Sequence, residues 1–136
     1  MSNINKQAGV ETMKTYGPYS PIISSGDIHF ISGQIGVDPQ TSKAADDVSQ
    51  QTKQVMENMQ TVLQSHGLSL DNVFKTTIYV TDMSAFAEVN EVYQQFFAVP
   101  RPARATVAVR ELPRVADNPI LVEIEAIATS NKRGSK

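Results

Sequence analysis

No cysteine occurs in the chain, so disulfides, thiolate nucleophiles and thiolate metal sites are excluded. Histidine is almost as scarce. His29 and His66 stand far apart, with no second histidine at ligand spacing, and the reading is therefore of a protein with neither metal nor other cofactor. No glycine-rich loop of phosphate-binding spacing is present. Long apolar runs are missing too: nothing approaches the ~20 residues that a membrane helix requires, and Asn3, Asn5, Lys6, Gln7, Glu11 and Lys14 interrupt the start of the chain where a secretory segment would be apolar. An excess of one charge is also lacking. Twelve Lys and Arg against fourteen Asp and Glu give a net charge of -2, which supplies no long-range attraction to phosphate backbones or anionic lipid. These absences argue against nucleic-acid and membrane partners and lead us to expect a cytoplasmic protein.

What is present suits one compact unit. The 136 residues, 40% apolar and 19% charged, are enough for a single core and too few for two. We expect one domain over 1–136, with its core at about 17–129, an N-terminal segment at 1–16 and a solvated tail from Ser130. Pro21 to Gly36 reads as two short strands around a turn at Ser25-Gly26-Asp27. Asp46 or Asp47 can cap a helix running to about His66, with Val48, Val55, Met59, Val62 and Leu63 on one face and Gly67 at a left-handed C-terminal cap. Val73 to Val80 is β-branched and aromatic and predicts a strand. A second helix from about Ser84 to Phe97 carries the stripe Phe86, Val89, Tyr93 and Phe96 or Phe97, read as core, and stops at Pro100 and Pro102. Two last strands are expected at about Ala103–Glu111 and Ile120–Thr129.

This order is α+β: a mixed sheet with two helices on one face and the other face spare, for which an oligomer is the economical cover. Alternation puts Arg104, Thr106, Ala108 and Arg110 on one face of the penultimate strand. In the last strand Leu121, Glu123, Glu125 and Ile127 share a face, opposite the wholly apolar Ile120, Val122, Ile124, Ala126 and Ala128. If these two strands pair as a hairpin with apolar faces together, the arginines and glutamates share one surface. That surface is either a set of cross-strand ion pairs or a site. The register would bring Arg110 closest to Glu123 and leave Arg104 without a partner. A guanidinium so placed can take a small carboxylate in its two-pronged fork.

Five segments in order, Gly17-Pro18-Tyr19-Ser20, Ser32-Gly33-Gln34-Ile35, Phe86-Ala87-Glu88-Val89-Asn90-Glu91-Val92-Tyr93, Pro102-Ala103-Arg104 and Val122-Glu123-Ile124-Glu125-Ala126-Ile127-Ala128, resemble the Rid (YjgF) family of reactive-intermediate deaminases. The resemblance spans about Gly17 to Thr129. It implies a chorismate-mutase-like α+β fold, a homotrimer around a central β-barrel, and ligand pockets at subunit interfaces. It also implies hydrolysis of 2-aminoacrylate, 2-aminocrotonate and their imine tautomers, released by pyridoxal-phosphate-dependent dehydratases or lyases, to 2-keto acids. In this sequence the family's carboxylate-holding arginine matches Arg104, and the glutamate that positions or deprotonates water matches Glu123.

Tyr19, Ser32 and Gly33 match positions lining the same pocket, although Tyr19 alone reads as a loop aromatic beside prolines and Ser32 as a strand hydroxyl bonded to backbone. Asn90 matches a helix position of the family, and Glu125 is read as a structural carboxylate partnered by a group such as Arg110. His29 and His66 carry no expected role. Two departures stand out: Thr106 where many members have Cys, and Pro21 where Gln is frequent. The 113–119 loop is also longer than the family's usual turn. Two rival readings remain, a non-catalytic trimer that binds small carboxylates and an endoribonuclease or translation inhibitor; the missing basic patch and histidine pair disfavour the latter.

Overall fold

The computed structural model describes residues 15–135. Its elements are β1 (Ile22–Ser25), β2 (Ile28–Ile35), α1 (Val48–Gln64), β3 (Val73–Val80), α2 (Phe86–Tyr93), β4 (Ala103–Ala108) and β5 (Val122–Thr129), with short 3-10 turns at Leu70–Asn72, Met83–Ala85 and Gln94–Phe96. The sheet is a single mixed one in the order β1-β2-β5-β3-β4, and both helices lie on the same side of it.

The expected helix begins where its cap predicts. Asp47 accepts from the Gln50 N–H and leaves Val48 as the first helical residue. Val48, Val55, Met59, Val62 and Leu63 are all buried, together with Met56, Gln51 and Thr52. Gly67 has φ +71°, the left-handed conformation expected beyond the helix end. The second helix is shorter than its stripe suggests: eight residues are α-helical and the flanking turns are 3-10. Val89, Tyr93 and Phe97 reach the core. Phe86, expected there, is exposed instead.

The expected hairpin between the last two strands does not form. β4 pairs only with β3, in parallel, and β5 inserts antiparallel between β2 and β3. Parallel pairing of β3 and β4 is what a strand-helix-strand crossover through α2 allows. The apolar face of β5 explains its central place, since Val122, Ile124, Ala126 and Ala128 are buried beneath the helices and need strands on both sides.

Gln51 bolts the 109–121 connection to α1. This fully buried amide donates to the Ala45 carbonyl at 2.9 Å and the Pro119 carbonyl at 2.8 Å, and accepts from the Leu121 N–H at 2.8 Å. Replacing Gln51 by Leu keeps the volume but leaves three part-buried backbone groups without this partner, at about 1 kcal/mol or more each. We expect Gln51→Leu to lower stability by about 3 kcal/mol, read as a lower denaturant midpoint at unchanged slope. A neutral result would show that the amide is not the bolt.

Candidate functional site

The open face of the sheet carries the acidic cluster. Glu123 faces Ile35 of β2 and Tyr79 of β3 in register, and Glu125 faces Thr77. A cavity of about 580 Å³ opens over this end of the face, lined among others by Tyr16, Tyr19, Ser32, Gly33, Glu123 and Glu125. Glu123 is half-buried, and its carboxylate lies against the β2 backbone at the irregularity between Ile31 and Gln34. Glycine leaves room for it there: a Cβ at residue 33 would fall 2.8 Å from the Glu123 carboxyl carbon and displace the carboxylate. Burial, and then the like charge of Glu125, raise the Glu123 pKa above the ordinary carboxylate value.

Tyr19 sits exposed at the cavity mouth, its hydroxyl accepting from the Tyr16 N–H at 3.2 Å. The Ser32 hydroxyl donates to the Ser20 carbonyl at 2.6 Å, so the backbone takes it as the residue-only reading expects, although the residue lines the cavity. Glu125 accepts from the Tyr79 hydroxyl at 3.1 Å. Its expected partner Arg110 is exposed and makes no ion pair, and among the described residues the single salt bridge joins Arg114 to Glu111 at 3.0 Å.

Arg104 is on the other side of the sheet. The register Thr76↔Arg104 and Ile78↔Thr106 places both residues on the helix-covered face with the buried side chains of β3. The expected sharing of one surface by Arg104 and Glu123 is therefore wrong within one chain. The cause is topological: parallel pairing to β3 sets the parity of β4 opposite to that of the imagined hairpin. The Arg104 guanidinium lies 5.6 Å from the Phe86 ring centroid and 5.0 Å from that of Tyr93, with no carboxylate in reach among the described residues. On the same face the Asn90 Oδ1 and Thr106 Oγ1 atoms are buried without a hydrogen-bond partner.

The structure thus sorts the predicted site residues into two groups. Tyr19, Ser32, Gly33 and Glu123 gather in the open-face cavity; Arg104, Thr106 and Asn90 gather between β4 and α2. Each group is chemically incomplete, the first an acid without a cation and the second a cation without an anion. Sequence reasoning missed the role of Phe86 as a platform for Arg104, whose only signal is its i,i+7 relation to Tyr93 on one helix face. It also missed Asn58, which lines the cavity and donates to the Ile35 and Val37 carbonyls at 3.0 Å each. Elsewhere, His29 is buried between the Ser24 and Ser130 hydroxyls, and no helix among the described residues is long and apolar enough to cross a membrane.

Residues 10–130 match the family model of the endoribonuclease L-PSP proteins. Among curated relatives, a RutC family protein of Pyrococcus horikoshii is 46% identical over 116 residues, covering 85% of this chain and 89% of its own. The 2-iminobutanoate/2-iminopropanoate deaminase of Salmonella typhimurium is 41% identical over 115 residues, covering 82% and 87%. Among solved structures, E. coli TdcF with bound serine superposes with a TM-score of 0.79 at 39% identity, over 86% of this chain and 91% of that one. These likenesses carry the α+β architecture of five strands and two helices.

The raised Glu123 pKa fixes a sign. A carboxyl whose folded pKa is raised contributes stability below its unfolded pKa and loses it as pH rises through the folded one, so at neutral pH the ionised Glu123 is a cost. Glu123→Gln is expected to raise the melting temperature at pH 7, with the gain shrinking toward about pH 4. A variant less stable than the parent by the same amount at both pH values would contradict this reading of the carboxylate.

Proposed function

The chain belongs to the endoribonuclease L-PSP family, the YjgF/RidA proteins, and from that premise we propose that it hydrolyses 2-imino acids and their enamine tautomers to 2-keto acids and ammonia. The substrates are 2-aminoacrylate with 2-iminopropanoate and 2-aminocrotonate with 2-iminobutanoate, short-lived products of pyridoxal-phosphate-dependent dehydratases or lyases in the cytoplasm. The observation that carries this reading is the pair of complementary half-sites on opposite faces of the sheet. Arg104, with neighbouring unpaired atoms on Asn90 and Thr106, lacks an anion, and Glu123 lacks a cation. A second copy whose β4 and α2 edge meets this open face would join them, and the closed assembly we propose is the homotrimer that the family resemblance implies.

The open face supports such an assembly. Ile23, Phe30 and Ile127 form one register row across β1, β2 and β5, and Ile23 and Phe30 are 61% and 46% exposed. An apolar row of this kind beside an acidic cavity marks a surface to be covered. Relatives add chemical support: one is named for the imine deaminase reaction, and another holds serine, a ligand with the same 2-amino acid skeleton.

In the joined site the Arg104 fork holds the substrate carboxylate, which fixes the imine carbon beside a water molecule. Glu123 accepts a proton as the water oxygen bonds to that carbon and the C=N pair moves to nitrogen. Glu123 passes that proton to the nitrogen to give the carbinolamine. It then relays the hydroxyl proton to the same nitrogen as the C–N bond breaks and the C=O forms, releasing ammonia and the 2-keto acid. The ribonuclease reading suggested by the family's description lacks an acid-base pair here, since His29 is bonded to two serines and His66 lies exposed just beyond α1.

A threonine dehydratase supplied with threonine generates the substrate, and 2-ketobutyrate formation reads its hydrolysis. We expect the protein to accelerate that step over spontaneous hydrolysis; no acceleration would leave the non-catalytic carboxylate-binding reading. Arg104→Ala is expected to lower kcat/KM by about two to three orders of magnitude, the scale of a lost charged bidentate contact, and Arg104→Lys to recover less than about a tenth of it. As pH falls through the raised pKa of Glu123, kcat/KM should decline. Glu125→Gln removes the neighbouring like charge and should move that acid limb to lower pH. An acid limb that stays put in Glu125→Gln would argue against Glu123 as the titrating base.

A further inference from the structure

The segment after β5, expected to be a solvated tail, folds back onto the chain through Arg133. Its Nε donates to the Pro100 carbonyl, its Nη1 to the carbonyls of Leu70 and Val73, and its Nη2 to that of Ala98 at 3.2 Å. The Arg133 N–H donates to the Asp71 carbonyl at 2.8 Å. No carboxylate is involved, so this guanidinium is spent wholly on backbone oxygens of two separate segments, one entering β3 and the other entering β4.

A second chain of contacts leads from the same residue. The Arg133 guanidinium lies 5.3 Å from the Phe97 ring centroid, Phe97 packs on Tyr93 with centroids 4.8 Å apart, and Arg104 lies 5.0 Å from the Tyr93 centroid. Two cations therefore bracket a tilted aromatic pair. Tyr93 is further held by its hydroxyl, 2.7 Å from Thr76 Oγ1. β4 is an edge strand with β3 on one side only. At its entry lie the Ala98 and Pro100 carbonyls that Arg133 holds, with the Tyr93-Phe97 ring pair beneath.

We propose that Arg133 is a positioning residue for Arg104, setting the guanidinium that grips the substrate carboxylate through the Ala98 and Pro100 carbonyls and the tilted Phe97-Tyr93 ring pair. The proposal rests on the deaminase reading above. It places in the last few residues a determinant of substrate affinity that touches no substrate.

Arg133→Met keeps the side-chain stem and removes the planar cation. In the full chain, KM for 2-iminobutanoate and the Kd for 2-ketobutyrate should both rise about tenfold while kcat stays within about twofold, because anchoring is loosened and the chemistry is not. Arg133→Lys should recover only part of the loss, since an ammonium cannot bond four carbonyls and stack on a ring. In an Arg104→Ala background, Arg133→Met should leave the Kd unchanged, the coupling expected of residues acting through one another. The Arg104 Nε–H resonance should also shift in Arg133→Met and Arg133→Lys. Unchanged KM and Kd in either folded variant, or an Arg104 resonance that does not move, would overturn the proposal. Failure of the deaminase reading shows separately, as an Arg104→Ala protein with parental KM.

Discussion

Strand β5 is hydrogen-bonded on both sides, to β2 and to β3, and its side chains must divide between a helix-covered face and an open one with no edge to absorb an exception. Val122, Ile124, Ala126 and Ala128 take the covered face and are essentially inaccessible. The period of two then obliges Glu123 and Glu125 to stand together on the open face. Burial of the first set, at roughly 25 cal/mol per Å² of apolar surface, is thus the force that holds the acidic pair in place. A slip by one residue would put two carboxylates into the core and is excluded by their desolvation cost.

The same parity rule, applied to β4, separates the opposite charge. Thr76 and Ile78 face the helices, so their parallel neighbours Arg104 and Thr106 do too. A chain built this way cannot bring Arg104 and Glu123 together by any small adjustment, because a sheet lies between them. Either the two are unrelated, or the molecule that uses them contains more than one copy. The orphaned Asn90 and Thr106 oxygens and the apolar row of Ile23, Phe30 and Ile127 weigh on the second side, since buried unpaired polar atoms and bare apolar rows both mark an incomplete surface.

Local physics made much of this legible in the sequence. The cap at Asp47, the apolar face of α1, the bounds of β3 and the two faces of β5 each follow from patterns a few residues long. What was not legible is what depends on distant partners. The pairing of β4 is the clearest case: its alternation told which residues share a face, but whether that face meets α2 or solvent depends on the neighbour, and β3 displaced the expected β5. Phe86 looked like core because a helical stripe carries no sign that its first turn overhangs the sheet edge beside Arg104. Arg133 looked solvated for a similar reason, since its partners are carbonyls of Leu70, Val73, Ala98 and Pro100, and carbonyls have no sequence signature.

Gly33 shows how the two kinds of information meet. The sequence motif presents it as a small residue in a strand, where glycine is ordinarily a weakness. In the structure its missing Cβ is the space occupied by the Glu123 carboxylate, and the strand is already irregular at that point. The protein gives up regular β2 pairing and the comfort of a solvated acid to hold one carboxylate half-buried beside another. That cost is local to the open face, since the core lies on the other side of β5 with Val122 and Ile124. The ionised Glu123 is carried at a cost to the fold, which is what the proposed role of activating water would require of it.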